Sequence, residues 1–161
     1  AHVHEYVSLE GKTETLDASF VHHNYHSIEQ FLYKMEHIYT VSEVARLETI
    51  GYKVRWFDAL RFPISDFVKV FFAQQGYKDG LHGLVLSILQ AFYMFIVFVK
   101  VWEKEGFVEK ELSLREVTHE ISRQKKEVSY WALTSIMAET SNPFFRLWCQ
   151  VKRRIIRMHP L

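Results

Sequence analysis

The chain has 161 residues, 48% of them hydrophobic and 16% aromatic, and carries a formal net charge of +1. It is long enough for one domain with a real core and too apolar for a disordered polymer. Balanced charge gives no whole-chain basis for binding nucleic acid, and a single cysteine, Cys149, excludes an internal disulfide and argues against a metal–thiolate site. A reducing compartment is the default. The opening Ala1-His2-Val3 lacks the basic start and apolar run of a signal peptide. There is no initiator Met, and the chain starts on strand-like material. The expectation is a fragment or processed piece of something longer.

Two short runs near the start alternate apolar and polar residues, Tyr6-Val7-Ser8-Leu9 and Leu16-Asp17-Ala18-Ser19-Phe20-Val21. Period-2 alternation predicts half-buried strands, with Glu10-Gly11-Lys12 as the turn between them. Side by side, they would bring Glu5 and His22 near one edge of a small sheet. A carboxylate and an imidazole there suit a base and a metal ligand. Solvated polar residues at strand ends are the plainer reading. His22, His23 and His26 suggest a metal cluster, but adjacent side chains on an extended segment point opposite ways. They cannot all hold one ion.

Ser27-Ile28-Glu29-Gln30 has a capping-box pattern, and Ile28, Phe31, Leu32, Met35, Ile38 and Tyr39 follow at helical spacing. That helix should run to about Thr49, with Gly51 as its stop and its apolar stripe as core. From Tyr52 to Pro63 an irregular connection, or the end of a helix, is expected, stopped by the proline. Ser65-Asp66 should then cap a short helix carrying Phe67, Val70, Phe71 and Phe72, ended by Gly76. Tyr77-Lys78-Asp79-Gly80 reads as a turn whose Asp79 caps the next helix.

That next helix is apolar nearly all round from Leu84 to Val99, interrupted only by Ser87 and Gln90. Such a helix is central in a core or seated in lipid. Roughly 16 residues reach about 24 Å, short of the ~30 Å hydrocarbon layer, which argues against a full span. Core, re-entrant and interfacial positions stay open. Beyond Gly106, a long amphipathic helix is expected from Glu111 to about Glu139, with a seam of Leu114, Val117, Ile121, Val128, Trp131 and Ser135. Glu111 with Arg115, and Arg123 with Glu127, stand four apart on it. The last helix starts with Asn142 as cap and Pro143 in the first position. Its apolar face holds Phe144, Leu147, Trp148, Val151, Ile155 and Met158, while Arg146, Lys152, Arg153, Arg154 and Arg157 fill the rest. A basic helix with aromatic anchors suits a membrane surface, and a solvated surface helix suits the pattern as well. A few basic residues near a terminus are weak grounds for nucleic acid.

No Walker-type loop, dinucleotide glycine fingerprint, HExxH, nucleophile elbow or Asp-Xaa-Asp pair occurs in the sequence. Instead there is an ordered series of short motifs: Val3-His4-Glu5, Gly11, Phe20-Val21-His22, Tyr25, Phe31-Leu32-Tyr33-Lys34 and Tyr39-Thr40. Phe62-Pro63, Phe67-Val68-Lys69, Gly76-Tyr77-Lys78-Asp79-Gly80, Gly83 and Tyr93 continue it. In this order and spacing the stretch from His2 to Glu103 resembles the C-terminal part of bacterial family 2 glycosyltransferases. The nearer likeness is to the branch of lipopolysaccharide-core glucosyl- and heptosyl-type transferases.

The resemblance implies a GT-A type α/β fold of which this chain is the acceptor-side portion. It implies that Glu5, in the His4-Glu5 pair, takes the place of the acid that deprotonates the acceptor hydroxyl. A single displacement at the anomeric carbon would then invert it. His22 takes the place of a His that helps hold a divalent metal, Mg or Mn, against the leaving diphosphate. His4, Tyr25 and Asp79 are expected on the substrate side. The donor-binding strands would precede residue 1, so this chain alone is expected neither to transfer sugar nor to bind metal tightly.

The expected architecture is mainly α with a short N-terminal β element. Residues 1–106 would be the C-terminal part of a glycosyltransferase-like domain, and 107–161 a helical, partly basic extension. The expected function is that of a fragment of an inverting glycosyltransferase. The complete enzyme would move a sugar from a nucleotide-sugar to a glycan or lipid-linked acceptor in cell-envelope biosynthesis. It would sit peripherally on the inner, cytoplasmic face of the membrane and have no nucleic-acid partner. The alternative is a non-enzymatic helical module that binds a membrane or a partner.

Overall fold

The computed structural model describes residues 10–15, 17–19, 21 and 25–158, and these are mainly helical. Two units divide the chain, Ala1–Tyr52 and Lys53–Leu161. The first predicted strand, Tyr6-Val7-Ser8-Leu9, lies outside the described residues, as do Leu16 and Phe20 of the second. Among the described residues there is no strand: residues 17–19 and 21 carry none.

In the first unit, α1 (Ile28–Lys34), a π-helical turn (Met35–Tyr39) and α2 (Thr40–Thr49) follow without a break. The Ser27 hydroxyl accepts the Gln30 backbone N–H at 3.1 Å, and Gln30 Oε1 accepts the His26 N–H at 2.8 Å. The reciprocal bond thus reaches one residue further back than the capping box expected from sequence. At the other end, Tyr52 N–H bonds Leu47 O and Gly51 N–H bonds Glu48 O, with Gly51 at φ +66°. This is a Schellman stop, and the left-handed backbone explains the glycine. Phe31, Met35, Thr40, Val44 and Leu47 form the buried face. Among the described residues the Thr40 hydroxyl, 1% exposed with its residue, has no hydrogen-bond partner.

The second unit begins its helices earlier than the sequence suggested. α3 (Asp58–Phe67) passes through Pro63 and continues as a π-helical segment, Val68–Ala73. Proline removes one donor, the partner of the Ala59 carbonyl, at a cost of about 3 kcal/mol in an isolated helix. Packing of α3 along a neighbouring helix offsets that cost. The start is set by Asp58, whose buried carboxylate accepts the Arg55 N–H at 2.8 Å. Ser65 and Asp66 are therefore mid-helix residues, not caps.

A 3₁₀ turn, Gly76–Asp79, leads into α4 (Gly80–Lys104). The turn and the helix run together, and Asp79 makes no side-chain cap bond. Its φ and ψ of −86° and 12° explain this, because capping side chains act from extended backbone, as Ser27 does at −153° and 161°. At 25 residues α4 is longer than the expected run, about 37 Å from end to end. It stops at a second Schellman turn, with Phe107 N–H on Trp102 O and Gly106 at φ +81°.

α5 (Leu114–Glu139) starts at Ser113, which forms a full capping box with Glu116. Its bond with the Ser113 backbone holds the Glu116 carboxyl below the usual range. Glu111 precedes this helix, so its predicted i,i+4 pairing with Arg115 does not arise. α6 (Pro143–Met158) begins as expected, with Asn142 Oδ1 accepting the Phe144 and Phe145 N–H groups at 3.0 and 3.1 Å. α3 lies along α4, and α6 packs on α5.

Two substitutions test this packing. A Cβ on Gly83 would run into the Gly76 carbonyl, so Gly83→Ala should destabilise the second unit by about 3 kcal/mol in denaturant melts. Thr40→Val replaces an unpartnered hydroxyl by a methyl of similar shape and should raise stability by about 1 kcal/mol, read as slower amide exchange across residues 28–49. A clear loss there would mean that the hydroxyl is satisfied.

Candidate functional site

Three of the expected site residues, His4, Glu5 and His22, lie outside the described residues. Tyr25 belongs to the first unit, half-buried at the entrance to α1. Its hydroxyl donates to Tyr39 Oη at 3.2 Å, its ring meets Phe31 edge-on at 5.1 Å, and Lys34 Nζ lies 5.3 Å from its centroid. Asp79 belongs to the second unit and is exposed at the mouth of α4. Among the described residues no group of three or more His, Cys, Asp or Glu side chains stands together to hold a metal.

The second unit contains features that residue spacing did not announce. Arg61 on α3 grips Glu120 on α5 with two parallel bonds, Nε to Oε1 at 2.7 Å and Nη2 to Oε2 at 2.8 Å. The Gln124 amide donates to Glu120 Oε1 at 2.6 Å, and the Arg61 guanidinium lies 3.8 Å from the Phe57 ring centroid. The Glu120 side chain is 5% exposed and that of Arg61 29%. The Arg61 guanidinium holds the Glu120 carboxyl below the usual carboxylate range, outweighing burial, which pushes it up; Gln124 adds to the lowering. The two residues are 59 positions apart, so no local pattern could pair them.

Near the C-terminal end of α4, a groove of about 690 Å³ has Trp56, Phe98 and Trp102 along its apolar wall. Lys53, Arg55, Glu105 and Lys110 also line it, three cations against one carboxylate. Trp102 is held in place by donating Nε1–H to the Val108 carbonyl at 3.0 Å.

α4 itself divides into two stripes. Gly83, Ser87, Val97, Phe98 and Val101 are buried. Leu81, Val85, Ile88, Phe92 and Phe95 face outward, with Leu81 75% and Ile88 53% exposed. Within Gly76–Lys104 an 18-residue window has a mean hydropathy of 2.2, so the helix is long and apolar enough to cross a membrane, yet only 17% of that window is buried. The core helix of a soluble protein would be mostly covered. The sequence-based argument against a span rested on about 16 residues and fails for a helix of 25.

No family model, curated protein or solved structure matches the chain.

The Arg61–Glu120 clamp yields a pH-dependent prediction. A lowered folded pKa gives stability that is present above the unfolded value, about 4.3, and is lost as pH falls through the folded one. Arg61→Met should cost about 3 kcal/mol at neutral pH, because it strands a buried carboxylate. Glu120→Gln should cost less, about 1.5 kcal/mol, since Arg61 retains a route to water. The gap between wild type and Arg61→Met should close in denaturant titrations as the pH is lowered. A gap that stays constant down to the acid limit would contradict the charge-based account.

Proposed function

We propose that the chain is the acceptor-side, membrane-seated part of an inverting, GT-A type glycosyltransferase, and that α4 holds it at the bilayer. The observation that carries the membrane part is the outward stripe Leu81, Val85, Ile88, Phe92 and Phe95 on a helix of 25 residues. Apolar surface of that extent is stable in hydrocarbon and costly in water. Support for the chemistry comes from the ordered motifs between His4 and Tyr93.

In this proposal the Glu5 carboxylate takes the proton from an acceptor hydroxyl. The freed oxygen attacks the anomeric carbon opposite the nucleotide diphosphate, the bond to that leaving group breaks, and the configuration inverts. His4, Tyr25 and Asp79 are assigned to the substrate side. Among the described residues no group of three or more His, Cys, Asp or Glu could hold a divalent metal, and His22 lies outside them. The groove beside Trp56 and Trp102 suits an amphiphilic acceptor, apolar along its wall and cationic at its rim. The acceptor fitting this chemistry best is a lipid-linked one at the cytoplasmic face. A nucleotide-sugar would come from a donor-binding half joined to this chain.

The same exposed stripe also fits a second reading, a helical membrane-binding module without catalysis. The two separate on one experiment, in which the chain, with any coding sequence that precedes it, is assayed for sugar transfer in membranes. Glu5→Gln should lower the transfer rate about a hundredfold or more; undiminished transfer removes Glu5 from the mechanism, and no transfer by the wild type favours the module. For the seat, Ile88→Lys with Phe92→Lys should abolish flotation with vesicles of phosphatidylcholine alone while helix content is kept. Unaltered flotation would remove α4 from the bilayer.

A further inference from the structure

α6 packs by its narrow side and shows its apolar side to the surroundings. Cys149 is fully buried, and Arg153 and Ile156 are half-buried. Arg153 Nη1 donates to Thr134 Oγ1 at 3.3 Å, and its guanidinium lies 5.4 Å from the Tyr130 centroid, both partners on α5. The opposite stripe is open: Phe144 is 83% exposed, Met158 66% and Leu147 57%, with Trp148, Val151 and Ile155 near half. Six large apolar side chains in one exposed row are more than a solvated helix carries without cause.

Charge says what covers them. The 16 residues of α6 include five basic and no acidic side chains. At about 100° per residue, Arg154 falls on one flank of the apolar stripe and Lys152 on the other. Lys152 Nζ lies 4.4 Å from the Trp148 ring centroid, keeping its charge beside the stripe. Towards the end of the helix, Arg153, Arg154 and Arg157 line a groove of about 760 Å³ together with Gln150 and Tyr130. Nucleic acid would satisfy the arginines and leave the six apolar side chains wet. A bilayer surface satisfies both, offering acyl chain to the stripe and phosphate to its flanks.

We infer that α6 is a docking helix for an anionic phospholipid surface, its apolar stripe sunk at the headgroup–acyl boundary and its Arg153–Arg154–Arg157 groove holding a lipid phosphate. This deepens the membrane reading given for α4, but it acts through a different helix and depends on lipid charge. The test uses the full chain with vesicles of phosphatidylcholine, alone or mixed with phosphatidylglycerol. Affinity should be higher for the mixed vesicles and fall as salt is raised. Arg154→Gln with Arg157→Gln, both at exposed positions, should weaken binding to mixed vesicles about thirtyfold. Binding to phosphatidylcholine alone should not change. Equal affinity of wild type and double variant for mixed vesicles overturns the inference. Displacement from mixed vesicles by inorganic phosphate, beyond that by chloride at equal ionic strength, overturns it in favour of a soluble phosphate. So does a wild-type chain that ignores both vesicles and sediments as a dimer, its stripe covered by a second copy. Binding to mixed vesicles that needs Arg154 and Arg157, with none to phosphatidylcholine alone, upholds α6 and sinks the α4 seat.

Discussion

α4 is apolar on every side, and the second unit covers only one of those sides. Burial of Val97, Phe98 and Val101 provides much of the drive for α3 to lie along it. Close approach on that side demands residues without bulk, and Gly76, Gly83 and Ser87 provide them where the 3₁₀ turn folds against the helix. The one hydroxyl among them is satisfied internally, Ser87 Oγ donating to the Gly83 carbonyl at 2.7 Å. A buried polar atom with its bond made costs little. The outward stripe has no such partner within its own unit, and that asymmetry is the ground for the proposed membrane seat.

α5 is attached by different means. Of its apolar seam, Val117, Val128, Trp131 and Ser135 are half-buried, while Leu114 is 79% and Ile121 51% exposed. Glu120 and Gln124 occupy the buried position instead, clamped to Arg61. A bidentate charge pair fixes register more tightly than an apolar contact, because its two bonds fail together when the helix slides or turns. The clamp also carries a liability, since Glu120 without Arg61 is a buried charge with poor access to water. Further along, apolar and mixed contacts take over, with Met137 buried and Tyr77 Oη donating to Glu139 Oε1 at 3.0 Å.

Helix existence was legible because it depends on neighbours in sequence. Ser27, Gly51, Gly106 and the Asn142-Pro143 start each act over three to five residues, and each stands where its pattern placed it. The misplaced boundaries have physical causes. Pro63 reads as a stop, but one lost donor is outweighed by packing on α4 that no window of sequence contains. Asp58 was passed over because its partner, the Arg55 N–H, lies upstream of the helix. Ser113 with Glu116 is a capping box, and it starts α5 three residues after the Glu111 that the spacing suggested. The buried face of α5 around Glu120 and Gln124 was illegible in principle, being polar. As for the site, Tyr25 and Asp79 stand in different units, while His4, Glu5 and His22 fall outside the described residues. The catalytic reading therefore still stands on motif order alone.

The proposed membrane attachments through α4 and through α6 are physically distinct, and the difference matters for how the chain would sit. Burial of the α4 stripe is non-directional and nearly blind to headgroup charge, so it sets depth without choosing a leaflet. α6 has a polar complement as well as an apolar one, and positive charge is drawn to the anionic cytoplasmic leaflet. Depth from one helix and sidedness from another would together define a plane. On that proposal a groove such as that beside Trp56 and Trp102 would meet an acceptor at a fixed height, which would matter most for an acceptor itself anchored in lipid. For such an acceptor the search is confined to two dimensions, and orientation at the surface replaces part of the entropy that a soluble enzyme must recover from binding.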